Sequence, residues 1–361
     1  MQAMASDRSN NFGALRLLFA YLVILSHSFE LVDGNASREL LHRVTGTMTF
    51  GGLAINCFFI ISGYLITASY VGSPSNLAYL AKRVLRIYPG YIVAFLLCVY
   101  ALAPWVGGNA EPYHGTVSRD SLVANVLLLQ PPEARGAFAG LHHAHLNGST
   151  WTIRYEFVAY LLVMALGMAR LLTRRRLILG VTLTLLFATM ALFSAAKLGV
   201  PAPWIEIAWS FTTEVRLLLM FASGALFYLF RDRIVYRRTH ALAAAICLCA
   251  LLMFERTAQA AIATFGAYLV FYVAFEVRNR RLARIGQKND LSYGVYLYAW
   301  PVQMALIWHD PAISAWSVFA LACIGASLLG WASWLAVERP AMRLRVLLRS
   351  RHGRDSPVGS A

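Results

Sequence analysis

Arg16 and His27 stand eleven positions apart in the stretch NFGALRLLFAYLVILSHSFE, Asn11 to Glu30. The stretch is apolar enough, at about 20 residues, to cross a bilayer as a helix. At about 100° per residue, eleven steps come within about 20° of three full turns, so both side chains leave one face, roughly 16 Å apart along the axis. Ionisable groups at membrane depth cost free energy and are kept where they have a partner or a task. An imidazole titrates near neutrality and can take a proton from a hydroxyl group. The pair reads as a base and a fixed cation on one helix face. It also reads as a structural histidine between helices and an arginine that snorkels to the headgroups.

Other residues carry chemistry at recognisable spacings. Arg83 and Arg86, in KRVLRIYPGY, lie three apart on one face, and their planar forks suit phosphate. They fit equally as a basic anchor beside a span. Pro89, just beyond them, is predicted to set the start of that span. Ser62 lies in GGLAINCFFIISGYLIT with Gly51, Gly52, Asn56 and Gly63, a run that suits close helix packing or a polar cavity lining. Glu156, in HLNGSTWTIRYEF, complements a helix N-terminus or sits just inside the membrane. The same segment contains Asn147-Gly-Ser149, which matches a glycosylation sequon. Glu214 and Arg216 are candidates to pair with each other or to line a path.

Ser292, Tyr293 and Tyr296 open DLSYGVYLYAWPVQ, where an aromatic belt explains part of the tyrosine content and Tyr293 and Tyr296 share a face. Glu338 follows the last apolar run. His142, His143 and His145 match no closed metal-site spacing, so no metal site is predicted. The five cysteines lie in apolar runs and read as small hydrophobes.

The elements that must position these groups are membrane helices. The chain has 361 residues, 59% hydrophobic and only 14% charged, where a soluble domain carries about 25% charged residues. The apolar runs do not alternate, which argues for helices and against a barrel. Ten spans are predicted, near 12–31, 50–70, 88–104, 151–170, 177–196, 211–230, 239–254, 260–277, 291–308 and 314–336. The first is read as an uncleaved span, because it lacks a small-residue cleavage site.

The net charge of +15 suggests nucleic acid until the basic residues are placed. They cluster at Lys82–Arg86, Arg174–Arg176, Arg231–Arg238, Arg278–Lys288 and Arg339–Arg354, on alternate connections. The opposite loops hold only Arg38, Arg43, Arg119, Arg135, Lys197 and Arg256. The positive-inside rule then places both termini in the cytoplasm and removes the need for a nucleic-acid partner. Residues 1–346 are expected to form one membrane domain, with 347–361 a disordered cytoplasmic tail. The connection from about 104 to 150 is long enough to be functional, and its SLVANVLLLQ segment suits an interfacial or re-entrant helix.

In their order along the chain these stretches resemble the acyltransferase 3 family of integral membrane acyltransferases. The resemblance rests on Arg16 and His27, FFIISGYL at Phe58–Leu65, and Arg83, Arg86 and Pro89. It continues through NGSTWTIRYE, LSYGVYLYAWPVQ and VERP. Two departures stand out: Ala299 occupies a position that is histidine in many members, and Arg154 one that is usually apolar.

The resemblance implies transfer of an acyl group, by family default acetyl, from acyl-CoA to a hydroxyl of a cell-envelope or secreted carbohydrate. It implies His27 as base, Arg16 as its motif partner, Arg83 and Arg86 as donor-binding residues, and Glu338 as a further site residue. Acyl-CoA enters as a substrate, with no tightly bound cofactor. The implied partners are the lipid bilayer of the inner membrane and a carbohydrate or glycolipid acceptor. The runner-up reading is a transporter or flippase that uses Arg16, His27 and Glu156 as a polar path, although no paired repeat supports it. A sensor or scaffold built on the histidine-rich loop is a third.

Overall fold

The computed structural model describes residues 10–108, 119–195 and 202–344. The expected tail over 347–361, both chain ends and the middle of the 104–150 connection lie outside the described residues. Among the described residues the fold is all-helical, with no strand.

The chain runs α1 (Phe12–Asp33), a short α2 (Leu40–Thr45), α3 (Phe50–Val71), α4 (Asn76–Leu97), α5 (Arg119–Leu127), α6 (Trp151–Met168), α7 (Arg175–Ala195) and α8 (Ala202–Leu229). It continues with α9 (Arg238–Leu252), then α10, which joins Glu255–Ala261 to Ala267–Glu276 through a π-turn at Ile262–Gly266. The last two long helices are α11 (Ser292–His309) and α12 (Ala315–Ser333), which runs on into a π-turn at Trp334–Glu338.

All ten expected spans are helical, and eight of the helices are long and apolar enough to cross a membrane. The other two differ for physical reasons. At 15 residues α9 is about 22 Å long, short of a hydrocarbon core of about 30 Å. With 18 residues α11 is long enough, but its tyrosines, Ser292 and Gln303 make it less apolar. Those side chains are buried in the protein, where lipid does not select them.

The third span starts earlier than expected. Pro89 lies inside α4, not at its start. Ser75 begins the helix instead, its Oγ accepting from the Ala78 N–H at 3.1 Å. The helix therefore carries Arg83 and Arg86 as interior residues.

Close helix contacts use the glycines. A Cβ on Gly63 would lie 2.0 Å from the Phe221 carbonyl oxygen, and one on Gly224 would lie 1.9 Å from that of Ile60. Helices α3 and α8 thus touch backbone to backbone, which small residues permit. At the entry of α1, Asn11 ties the helix to the end of α10. Its side-chain amide donates to the Val273 and Val277 carbonyls at 2.8 and 2.7 Å. Those carbonyls lie in the last turn of a helix, where no intrahelical donor remains for them.

The described part of the 104–150 connection folds back onto the bundle, burying Leu129, Phe138 and Leu146. Leu129 and Phe138 hold φ of 54° and 56°, a left-handed backbone that packing must enforce in a non-glycine residue. The expected SLVANVLLLQ helix exists as part of α5, and Tyr88 donates to the Leu127 carbonyl at its end, at 2.8 Å.

Candidate active site

A cavity of about 120 Å³ lies where α1, α3, α4, α6 and α11 meet. Arg16, Arg83, Arg86, Ser62, Glu156, Ser292, Tyr293 and Tyr296 all line it, so eight of the expected residues converge. The volume suits an acyl group and a few waters, not a whole nucleotide.

Asp290 organises the cationic side. Its Oδ2 accepts from Arg16 Nη1 at 2.8 Å and from Arg86 Nη2 at 2.6 Å. Its Oδ1 accepts from the Ser292 hydroxyl at 2.6 Å. Arg86 also stands 3.7 Å from Glu338 Oε2. Burial raises the Asp290 pKa, but Arg16, Arg86 and the Ser292 hydrogen bonds outweigh it and hold the carboxyl below its usual range. Glu338 is buried in the π-turn that ends α12, and its Oε1 accepts from the Ser333 hydroxyl at 3.2 Å. π-Turns recur at functional sites because they re-aim one side chain within a helix.

Arg83, one turn before Arg86, is held differently. Its guanidinium lies 5.9 and 5.7 Å from the Tyr79 and Tyr160 ring centroids, and Nη2 donates to Ser69 Oγ at 3.3 Å. Its Nε is buried with no hydrogen-bond partner. Among the described residues no carboxylate lies within 4 Å of it. Across the cavity, Glu156 accepts from the Ser62 hydroxyl at 3.3 Å and from the Tyr160 hydroxyl.

The tyrosines of α11 are committed to the scaffold. Tyr293 donates to the Ile87 carbonyl at 2.8 Å, and the Tyr296 hydroxyl donates to the Ser149 carbonyl and meets Thr152 Oγ1 at 2.6 Å. As an oxyanion donor, either hydroxyl would first have to leave these partners.

His27 is not in this cavity. It lies three turns along α1, where Nδ1 stands 3.2 Å from Glu30 Oε2 and its ring meets Trp300 edge-on at 4.9 Å. An ionised carboxylate only accepts, so this contact puts a proton on Nδ1, and a neutral imidazole held in this tautomer presents Nε2 as its acceptor. Trp300 is fixed by its indole N–H donating to the His145 carbonyl at 3.0 Å. His143 packs 6.0 Å from the same indole, and burial pushes its imidazole below the usual range while Glu30 acts the other way. Tyr296 lines the cavity and Trp300 touches His27. They are four residues apart on one face of α11, about 6 Å along its axis. The two parts of the site are thus joined by one helix face.

Asn147 explains how α11 holds its shape. Pro301 cannot donate to the Leu297 carbonyl four residues before it. The Asn147 side-chain amide donates to that carbonyl instead, at 2.8 Å. Asn147 is fully buried, so the sequon match is a structural asparagine and not an exposed acceptor. Glu214 and Arg216 do not pair. They sit two apart on different helix faces, Glu214 exposed, while Arg216 Nη1 donates to Asn56 Oδ1 at 3.2 Å. Asn56 passes its own amide to Gln259 Oε1 at 2.9 Å.

Sequence reasoning missed Asp290, Glu30, Tyr160 and Trp300. Spacing was available for two of them. Glu30 is three residues after His27, and Tyr160 is four after Glu156. Asp290 precedes a helix, where an acid has an ordinary capping role that conceals its long-range partners.

Comparison with known proteins gives the arrangement its class. The family model described as "Acyltransferase domain", of the acyltransferase 3 type, matches residues 10–335. An "O-acetyl transferase" of Shigella phage Sf6 is 26% identical, covering 92% of this chain and 96% of that protein. "Nodulation protein 10" of Rhizobium leguminosarum bv. viciae is 27% identical, over 96% of this chain and 97% of the relative. "Acyltransferase MdmB" of Streptomyces mycarofaciens is 29% identical over 41% of this chain and 36% of its own length. No solved structure matches. With a multi-pass helical fold and a family match over nearly its whole length, the chain belongs to the acyltransferase 3 family and is a membrane-embedded O-acyltransferase.

Proposed function

We propose that the protein transfers an acetyl group from acetyl-CoA to a hydroxyl group of a cell-envelope or secreted carbohydrate, free or lipid-linked. The observation that carries this reading is Arg83. It is a guanidinium at a cavity wall with a buried, unpartnered Nε and no carboxylate neighbour among the described residues. Coenzyme A carries a pyrophosphate and a ribose phosphate, and a guanidinium with no carboxylate to neutralise it is a fitting hydrogen-bonding partner for either. Arg86 and Arg16 then serve chiefly to shape the cavity, because Asp290 already neutralises them. The basic connections favour placing the arginine side at the cytoplasmic face of the inner membrane, where acetyl-CoA is made.

The thioester end enters the cavity and runs along the α11 face towards His27. His27 Nε2 takes the acceptor hydroxyl proton, and the freed oxygen attacks the thioester carbonyl. The carbon–sulfur bond breaks, and the leaving thiolate receives the proton back from the imidazolium. The products are an O-acetyl ester and free coenzyme A, so atoms and charge balance.

The test uses purified protein in lipid nanodiscs with radiolabelled acetyl-CoA. Wild type, Arg83→Ala and His27→Ala are compared for donor binding and for label transfer to added envelope glycans. The expected outcome is weak donor binding by Arg83→Ala, and donor binding without transfer by His27→Ala. A folded wild type that binds no acetyl-CoA would remove the donor assignment and favour the transporter reading. Normal transfer by His27→Ala would remove the base.

A further inference from the structure

A second cavity lies away from the arginine site and shares no lining residue with it. It is a groove of about 550 Å³ between α7, α8, α9 and α10. Its walls are carbon, from residues such as Leu183, Leu186, Leu219, Phe227, Ala243 and Cys247. Four hydroxyls also lie in it, and each is spent on the main chain, that of Tyr268 on the Val235 carbonyl. Thr182 donates to Ile178 at 2.8 Å, Thr264 to Ala260 at 2.8 Å, and Ser223 to the Ala263 carbonyl. A polar ligand would find no free hydroxyl proton there, whereas a hydrocarbon chain loses nothing by entering.

The position of the groove along the bundle is equally informative. Helix α7 contributes its turns just after Arg175, and α9 those just after Arg238. Helix α8 contributes its last turns before Leu229, and α10 its middle, Ala263 to Phe265 and Tyr268. Helices α7, α8 and α9 therefore offer chiefly the half nearest the same basic connections, and α10 closes the groove with its middle turns. From His240 to Cys247 the groove runs about 10 Å, within one leaflet of about 15 Å of hydrocarbon.

At its mouth the connection before α9 is pinned. The Tyr268 hydroxyl donates to the Val235 carbonyl at 3.0 Å and accepts from the Arg237 N–H at 3.1 Å. The connections at this mouth carry Arg174, Arg175, Arg176, Arg231, Arg233, Arg237 and Arg238 against one acid, Asp232. Arg175 and Arg231 reach that acid at 3.6 and 3.9 Å. Arg237 and Arg238 are exposed, with no carboxylate within 4 Å among the described residues.

We propose that this groove binds one acyl chain of an anionic glycerophospholipid from the surrounding bilayer, with the lipid phosphate held by Arg237 and Arg238 at the mouth. The apolar shaft selects the chain and the charge surplus selects the headgroup. Such a lipid wedges α7 and α9 against α8 and α10 and closes a gap that the side chains leave open. It is a binding site distinct from the acyl-transfer site, so it stands whatever the donor and acceptor prove to be.

Native mass spectrometry tests this on protein in mild detergent with equal phosphatidylglycerol and phosphatidylcholine added. The expected result is one phosphatidylglycerol retained per chain in preference to phosphatidylcholine. Near a membrane surface each arginine contributes about 5-fold, so Arg237→Gln/Arg238→Gln should lower retention by roughly 25-fold and erase the headgroup preference. Ala243→Trp fills the groove from α9 and Leu183→Trp from α7. Both side chains are exposed to the bilayer, so the bundle tolerates the larger residue. Each should remove the bound lipid while circular dichroism and elution volume stay as in wild type. Equal retention of the two lipids by wild type would overturn the headgroup assignment. Wild-type retention in both tryptophan variants would overturn the groove, and the exposed arginine variant decides the headgroup question even where a tryptophan variant misfolds.

Discussion

Asp290 offers the sharpest test of how the site is built. Its carboxylate meets Arg16 and Arg86 at 2.8 and 2.6 Å, across 274 and 204 positions of sequence, and only 19% of its side chain is exposed. Asp290→Asn keeps the shape and removes the charge. At an effective dielectric of about 20, each contact is worth roughly 6 kcal/mol of Coulomb energy before desolvation. Breaking a buried pair by removing one partner costs about 3–5 kcal/mol, because the other charge is left uncompensated. Solvent reaches the edge of this cluster, so we expect about 3 kcal/mol for Asp290→Asn and about 2–3 kcal/mol for Arg86→Gln. Removing both leaves one stranded charge fewer, so the double variant should lose about 3–4 kcal/mol rather than the sum. That difference is a coupling of about 2 kcal/mol. The assay is reversible unfolding in mixed micelles titrated with sodium dodecyl sulfate, run on wild type, both single variants and the double variant. Additivity within about 0.5 kcal/mol would refute the argument, since it would mean that Asp290 and Arg86 do not hold each other in place.

Three further outcomes follow from the same geometry. The Asp290 carboxyl is held below its usual range, so its stabilisation is full above the unfolded value of about 4 and is lost as pH falls through the lower folded value. Wild type and Asp290→Asn should therefore differ most at neutral pH and converge in strong acid, and a constant gap from pH 7 to pH 2 would count against the ion pairs. Asn147→Ala leaves the Leu297 carbonyl buried without the donor that Pro301 cannot supply, at a cost of about 1–3 kcal/mol, while Asn147→Gln in a glycosylating host should change the mass by one methylene and no more, because no glycan is attached. Gly224→Leu drives a side chain into the Ile60 carbonyl and should destabilise the α3–α8 contact by about 3 kcal/mol in the same unfolding assay, whereas the same change at Gly180, which faces open space, should cost under about 1 kcal/mol.

Much of the fold was legible in the chain because its signals are local. Runs of about 20 apolar residues place membrane helices wherever they occur, and the alternation of basic connections gives them an expected order across the bilayer. Arg16, Arg83, Arg86, Ser62, Glu156, Ser292, Tyr293 and Tyr296 were identifiable because polar side chains in apolar helices need a reason to be there. Helix starts were less legible. Pro89 looked like a beginning and proved to be an interior residue, because Ser75 supplies the cap and tertiary packing carries the helix through the proline.

What only the tertiary structure decided is which of these groups meet. Two arginines three positions apart are alike in sequence, yet Arg86 is bound to Asp290 and Glu338 while Arg83 lies between two tyrosine rings and donates only to Ser69 among the described residues. Arg16 and His27 share a helix face, yet one lines the cavity and the other sits against Glu30 and Trp300. The amide that completes α11 comes from Asn147, 150 positions away from the carbonyl it serves. Periodicity and composition act over one or two helical turns, and they determined the helices and the faces that their polar residues occupy. Ion pairs and hydrogen bonds form between whichever faces the bundle brings within about 3 Å. That choice belongs to the packing of all the helices together.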